Sequence, residues 1–87
     1  MAKADGDRVT YYVALPFLDS GEGPVPGQAI ECQSSSQAKV RAEALARKSE
    51  HVGAVAFTRT GDPTTGDFTD AVVLDRYGIT PDDFTGL

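Results

Sequence analysis

Tryptophan is absent from these 87 residues, and cysteine, histidine and methionine each occur once. A single cysteine, Cys32, closes no internal disulfide, so the fold must stand on packing alone, and this usage agrees with a reducing compartment. His51 and Cys32 are too few to make a zinc pattern of useful spacing. They also leave no nucleophile–histidine–acid triad to be read along the chain. Runs of ~18 apolar residues, the minimum for a membrane span, are missing, and the opening MAKADGD is too polar for a signal peptide. The expected location is the cytoplasm. Phosphate-cradling loops of the G-x-x-x-x-G-K-S/T or G-x-G-x-x-G kind are also missing, and no cofactor is expected.

Positive charge is scarce at one end. Residues 1–61 carry seven Lys/Arg and seven Asp/Glu, whereas residues 62–87 carry six Asp against Arg76, which accounts for the whole net charge of −5. An acidic chain lacks the electrostatic term that dominates non-specific nucleic-acid affinity, which argues against such a partner. Among these acids, Asp62, Asp67 and Asp70, with Thr64 and Thr65, offer hard oxygens. Their spacing does not match a calcium loop of the D-x-D-x-D-G type, and no metal site is expected.

What is present is one helix and several strands. In Ser34–Glu50, SSSQAKVRAEALARKSE, Ser34 and Gln37 form the S-x-x-Q version of a capping box, and the interior is rich in good helix formers. At about 100° per residue, Ala38, Ala42, Leu45 and Ser49 share one face, while Val40, Glu43, Arg47 and Glu50 point the other way. The inner face is narrow and small. Lys39, Arg41, Arg47 and Lys48 are spread around the helix, as on a solvated, ion-paired surface.

Residues 1–7 read as a disordered lead-in. Arg8–Phe17 alternates as a half-buried strand, with Val9, Tyr11, Val13, Leu15 and Phe17 on one side and Thr10, Tyr12, Ala14 and Pro16 on the other. Asp19–Gln28, with three Gly and two Pro, reads as a loop. Ala29–Gln33 allows a further short strand. Gly53–Thr60 and Phe68–Asp75 read as two strands joined through GDPTTGD, which is dense in turn formers. The segment 77–87 reads as a tail with one helical turn, begun by Thr80 and Pro81 and followed by Asp82 and Asp83.

These elements predict a two-layer α+β domain over residues 8–76: a three- to four-stranded, mainly antiparallel sheet with one helix across one face. The large residues Val9, Tyr11, Val13, Leu15, Phe17, Val55, Phe57, Phe68, Val72 and Leu74 are expected to meet the helix, compensating for its small inner face. The opposite face would then carry Thr10, Tyr12, Ala14, Ala54, Ala56, Thr58, Thr69, Ala71 and Val73. None is charged, in a chain where 24% of residues are. Solvated sheet faces usually carry charge, so this face is expected to be covered, by a protein partner, by a second copy in a homodimer, or by the tail through Tyr77, Ile79 and Phe84.

The segments YYVALPF, AEALARK, HVGAVAFTRTGDP and DAVVLDRYG resemble a group of small alphaproteobacterial-type proteins with no assigned activity, so that resemblance implies none. Tyr11-Tyr12-Val13-Ala14-Leu15, a Gly/Pro loop and Ala42-Glu43-Ala44-Leu45 together resemble HicB-type antitoxins, which would imply binding a small toxin. The Gly/Pro loop lacks that family's usual Pro-Asp and Gly-Asp signatures, and no DNA-binding segment follows. The strand–helix–hairpin order also resembles half of a SPOR-type peptidoglycan-binding domain, without its second helix, last strand or an export signal.

The leading expectation is a non-enzymatic module acting by protein–protein contact or self-association through the uncharged face around Tyr12. A small-ligand-binding or weakly catalytic protein, with a pocket under the 19–28 loop near Tyr11, Cys32 and His51, is the alternative. A nucleic-acid binder stacking bases on Tyr12 comes third, but it lacks the positive groove such platforms use.

Overall fold

A computed structural model describes residues 8–81. The chain folds as α+β, one helix packed against a curled antiparallel sheet. In chain order the elements are β1 (Val9–Asp19), β2 (Pro24–Pro26), β3 (Ile30–Cys32), α1 (Ser35–Ala46), β4 (Gly53–Asp62), β5 (Asp67–Phe68) and β6 (Val72–Gly78). β1 and β4 are the central strands. β2 and β3 pair along the outer side of β1, and β5 and β6 along the outer side of β4. Since β3 and β4 are both antiparallel to β1, they run the same way on either side of it, and α1 crosses over between them.

The capping box forms at the helix start. Ser34 is the N-cap, and its Oγ accepts from the Gln37 backbone N–H at 3.1 Å. Gln37 Oε1 in turn accepts from the Gln33 backbone N–H at 3.1 Å, one residue earlier than the usual reciprocal partner. Glu43 and Arg47 make the expected i,i+4 ion pair at 3.0 Å. The helix stops at Ala46 with Arg47 as C-cap, short of Glu50.

The ladder register divides the sheet residues between its two faces. Tyr12 stands opposite Thr58, Ala14 opposite Ala56 and Pro16 opposite Ala54, and the next positions pair Val13 with Phe57 and Leu15 with Val55. Partners point to one side and neighbours to the other. Ala14, Ala54 and Ala56 pack against Ala38, Ala42 and Leu45, with Tyr12, Ile30, Cys32, Leu74 and Tyr77 at the margin. Leu15, Phe17, Val55 and Phe57 form a second cluster on the far face, flanked by Val13, Val52, Ala71 and Val73.

This reverses the expected orientation of the sheet. The helix lies on the small residues, not the large ones. Its alanine face admits close approach only to a surface that is also small, and dense interiors favour that match. Large strand residues under Ala38 and Ala42 would hold the helix off and leave voids beside them. The far face keeps the bulk: Phe17 is 1% exposed and Val55 fully buried.

Three further corrections concern the strands. The Pro-rich loop contains β2, whose Pro24 and Pro26 sit on an edge, where a missing N–H costs no ladder bond. The third strand is not continuous over 68–75; it breaks after Phe68 and resumes as β6 at Val72. A bulge between Ala56 and Phe57 sets Val73 opposite Phe57 and Asp75 opposite Ala56, with Leu74 as the extra residue. Leu74 therefore joins the helix-side cluster and Val73 the far one, as expected relative to the helix, although the strand residues expected to accompany each have changed sides. Phe84 and most of the helical turn expected at the C-terminus lie outside the described residues.

β4 and β6 approach closely where β4 begins. Gly53 faces Gly78, the Ile79 N–H donates to the Val52 carbonyl at 2.9 Å, and a Cβ at Gly53 would overlap the Ile79 backbone. Gly78 has φ +72°, a conformation that glycine adopts without steric cost.

Candidate functional site

The nine residues expected to form an open, uncharged contact face do not share one. Ala14, Ala54 and Ala56 are fully buried beneath α1, and Tyr12 is half-buried beside them. Thr58 donates its hydroxyl to the Tyr11 carbonyl at 2.9 Å. Thr10 and Thr60 hydroxyls are 2.9 Å apart on the exposed end of the ladder, and Thr69 donates to the Thr60 carbonyl at 3.0 Å. Ala71 and Val73 pack on the other side of the sheet. The charge-free face is helix-covered core, which is why it carries no charge.

Nor are Tyr11, Cys32 and His51 gathered into one pocket. Tyr11 is on the far face, its ring 5.9 Å from that of Phe68. Arg59, opposite Tyr11, has its Nε buried without a hydrogen-bond partner among the described residues. His51 lies past the helix end, with Nδ1 2.7 Å from the Leu45 carbonyl. A carbonyl only accepts, so Nδ1 carries the proton and the imidazole satisfies one of the helix's last carbonyls. Among the described residues no group of three or more His, Cys, Asp or Glu is placed to hold a metal ion.

Cys32 alone of the three borders a concavity. Between β3 and α1 runs an open groove of about 750 Å³, lined by Ile30, Glu31, Cys32 and Gln33 on the strand side and Ser36, Gln37, Val40 and Arg41 of the helix, with Ala44 at its end. Its floor follows from the ladder: Ile30 and Cys32 pair with Ala14 and Tyr12, and so point to the helix side. Its wall follows from helical spacing, since residues 37, 40, 41 and 44 recur on one flank. Val40, at 67% exposure, is the most exposed of the large apolar side chains among the described residues. β3 is hydrogen-bonded to β1 along one edge, and no other strand among the described residues takes its outer edge. Arg41 has no ion pair or hydrogen bond among the described residues.

The helix wall of this groove was missed in the sequence. The signal was there: Val40 is an apolar residue on the helix flank assigned to solvent, and such a residue gains nothing from that position in the isolated chain.

One titration is perturbed. Burial first, then the hydrogen bond its hydroxyl donates to Asp75 at 3.1 Å, and then the charges of Asp75 and Glu43, push Tyr77 above the ordinary tyrosine value.

No family model, no curated protein and no solved structure matches the chain. The antitoxin and SPOR-type resemblances therefore carry no further argument. Among the described residues no helix is long and apolar enough to cross a membrane.

Proposed function

We propose that the protein is a small non-enzymatic module that binds polypeptide, in cis-independent fashion, through the groove between β3 and α1. One observation carries this reading: an apolar trough runs beside a strand whose outer edge is unpaired among the described residues. Main-chain groups along such an edge bind any extended chain, and an adjacent apolar wall selects among its alternate side chains. The exposed Val40 beside Ile30 and Cys32 supplies that wall.

A small-molecule site is the competing reading, and the groove volume of about 750 Å³ falls within the ~300–1,000 Å³ of ligand pockets. The groove is nevertheless open along its length and bounded on one side by backbone, which favours a strand over an enclosed ligand. A cytoplasmic setting fits this reading, since Cys32 is a free thiol in the groove lining.

Amide shift mapping tests the proposal, with one series in protein concentration and one with a pool of extended peptides. Shifts concentrated at 30–33 and 36–44 in either series, and lost in Val40→Glu, are expected. No shift in either series, or shifts confined to other elements, rejects the groove as a binding surface.

A further inference from the structure

We infer that the occupant of the β3–α1 groove is β6 of a second copy of this chain, added as an antiparallel strand in a head-to-tail arrangement; this rests on the groove being a strand-binding surface. The two edges of the sheet are matched in direction, level and charge.

Direction comes first. β3 and β4 run the same way, and β6 is antiparallel to β4, so β6 of a copy placed alongside meets β3 antiparallel. Level follows from the ladders. Ile30, Ala14, Ala56 and Asp75 lie in one row across the sheet, and Cys32, Tyr12, Thr58 and Val72 in another. A copy displaced along the hydrogen-bonding direction thus brings Val72, 60% exposed, to Cys32 and the apolar wall around Val40.

Charge then selects the pairing. Asp75 stands opposite Ala56, on the helix side of the sheet, and is exposed. Set beside Ile30, its carboxylate lies on the side where Arg41 lines the groove. On the helix side of the sheet the β6 edge therefore presents Asp75, with Arg76 turned to the far face, and the groove, whose lining also includes Glu31, presents Arg41, a cation without a partner among the described residues. A two-fold pairing of β6 with itself about its middle would instead set Asp75 against Asp75, and like charges directly opposite destabilise a ladder. That favours the head-to-tail contact, which grows into chains or closes into a ring according to the rotation between copies.

Sedimentation velocity over a concentration series, using the full chain, tests this. The wild type is expected to show species heavier than the monomer, in rising proportion with concentration. Arg41→Glu and Asp75→Lys, both at exposed positions, are each expected to weaken association about tenfold or more, a change of one decade in affinity. Mixing the two singly reversed variants is expected to restore it, because each then presents an edge complementary to the other. That recovery also shows that both variants are folded. A wild type monomeric at every concentration, or association that neither reversal alters, overturns the second copy as occupant. The broader reading of the groove then stands or falls on the peptide series alone.

Discussion

Ala14 and Ala56 stand directly opposite each other in the β1–β4 ladder, both fully buried, and the helix rests on them through Ala38 and Ala42. This layer of methyl groups sets the spacing between helix and sheet. Ala42→Leu is therefore expected to destabilise the protein by ~1–3 kcal/mol, the usual cost of overpacking. Urea denaturation should show a lower midpoint at unchanged slope. An unshifted midpoint would mean that the helix is not held at that distance.

The far face carries the largest fully buried side chains, Phe17 and Val55. Phe17, 1% exposed among Leu15, Val55 and Phe57, should cost ~3–5 kcal/mol when cut to alanine. Val40→Ala should stay within about 0.5 kcal/mol, as surface changes do. If the same denaturation series found the two changes comparable, Val40 would be a core residue and not a groove wall.

Ser34 holds the helix start through its bond to the Gln37 N–H. Ser34→Ala is expected to lose about 0.5–2 kcal/mol. Combining it with Gln37→Ala in a double-mutant cycle should show a coupling between the two sites, since each residue's bond helps fix the other. Strict additivity would mean that the reciprocal arrangement contributes nothing.

How much of this was legible beforehand depends on what alternation encodes. Residues 8–17 announce two faces, and Ser34 with Gln37 announces a helix start; both are local properties of the chain. Which strand face meets the helix is a matter of fit between distant surfaces. The small residues Ala14, Ala54 and Ala56 stand out as a set along the chain, but alternation does not say whether a partner or the helix covers them; closeness of approach decides that. The extra residue at Leu74 leaves no mark in composition, so the change of register that sets Leu74 beside Ala14 and Ala56, and Val73 beside Phe57, is not legible along the chain. Pro24 and Pro26 suppressed β2, although an edge tolerates them. Cys32 stands out along the chain only as part of a pocket under the 19–28 loop with Tyr11 and His51, whereas the groove it borders, with its helix wall of Val40 and Arg41, becomes visible only once α1 is placed against the sheet.

Tyr77 gives a prediction in pH. Its folded pKa is raised, so the folded state holds the proton more tightly than the unfolded chain does. The associated stability is fully present below the unfolded value of about 10 and is lost as pH rises through the folded value. Tyr77→Phe should flatten the alkaline decline of the denaturation midpoint. The phenolate absorbance that Tyr77→Phe removes should titrate above the ordinary tyrosine value. A decline equally steep in the variant would remove Tyr77 as its source.

The bulge opposite Ala56 also decides where a carboxylate ends up. Were the β4–β6 ladder regular onward from Phe57 and Val73, Asp75 would fall opposite Val55, inside the apolar cluster with Phe17. There its ionised form would lose hydration without a counter-charge. The surplus residue moves Asp75 one place round and puts Arg76 opposite Val55 instead, where a long aliphatic stem can lie along the cluster and carry its charge out to water. Deleting a residue between Val73 and Asp75 should thus be tolerated far better than restoring strict alternation with the full sequence, because only the latter drives an acid into oil.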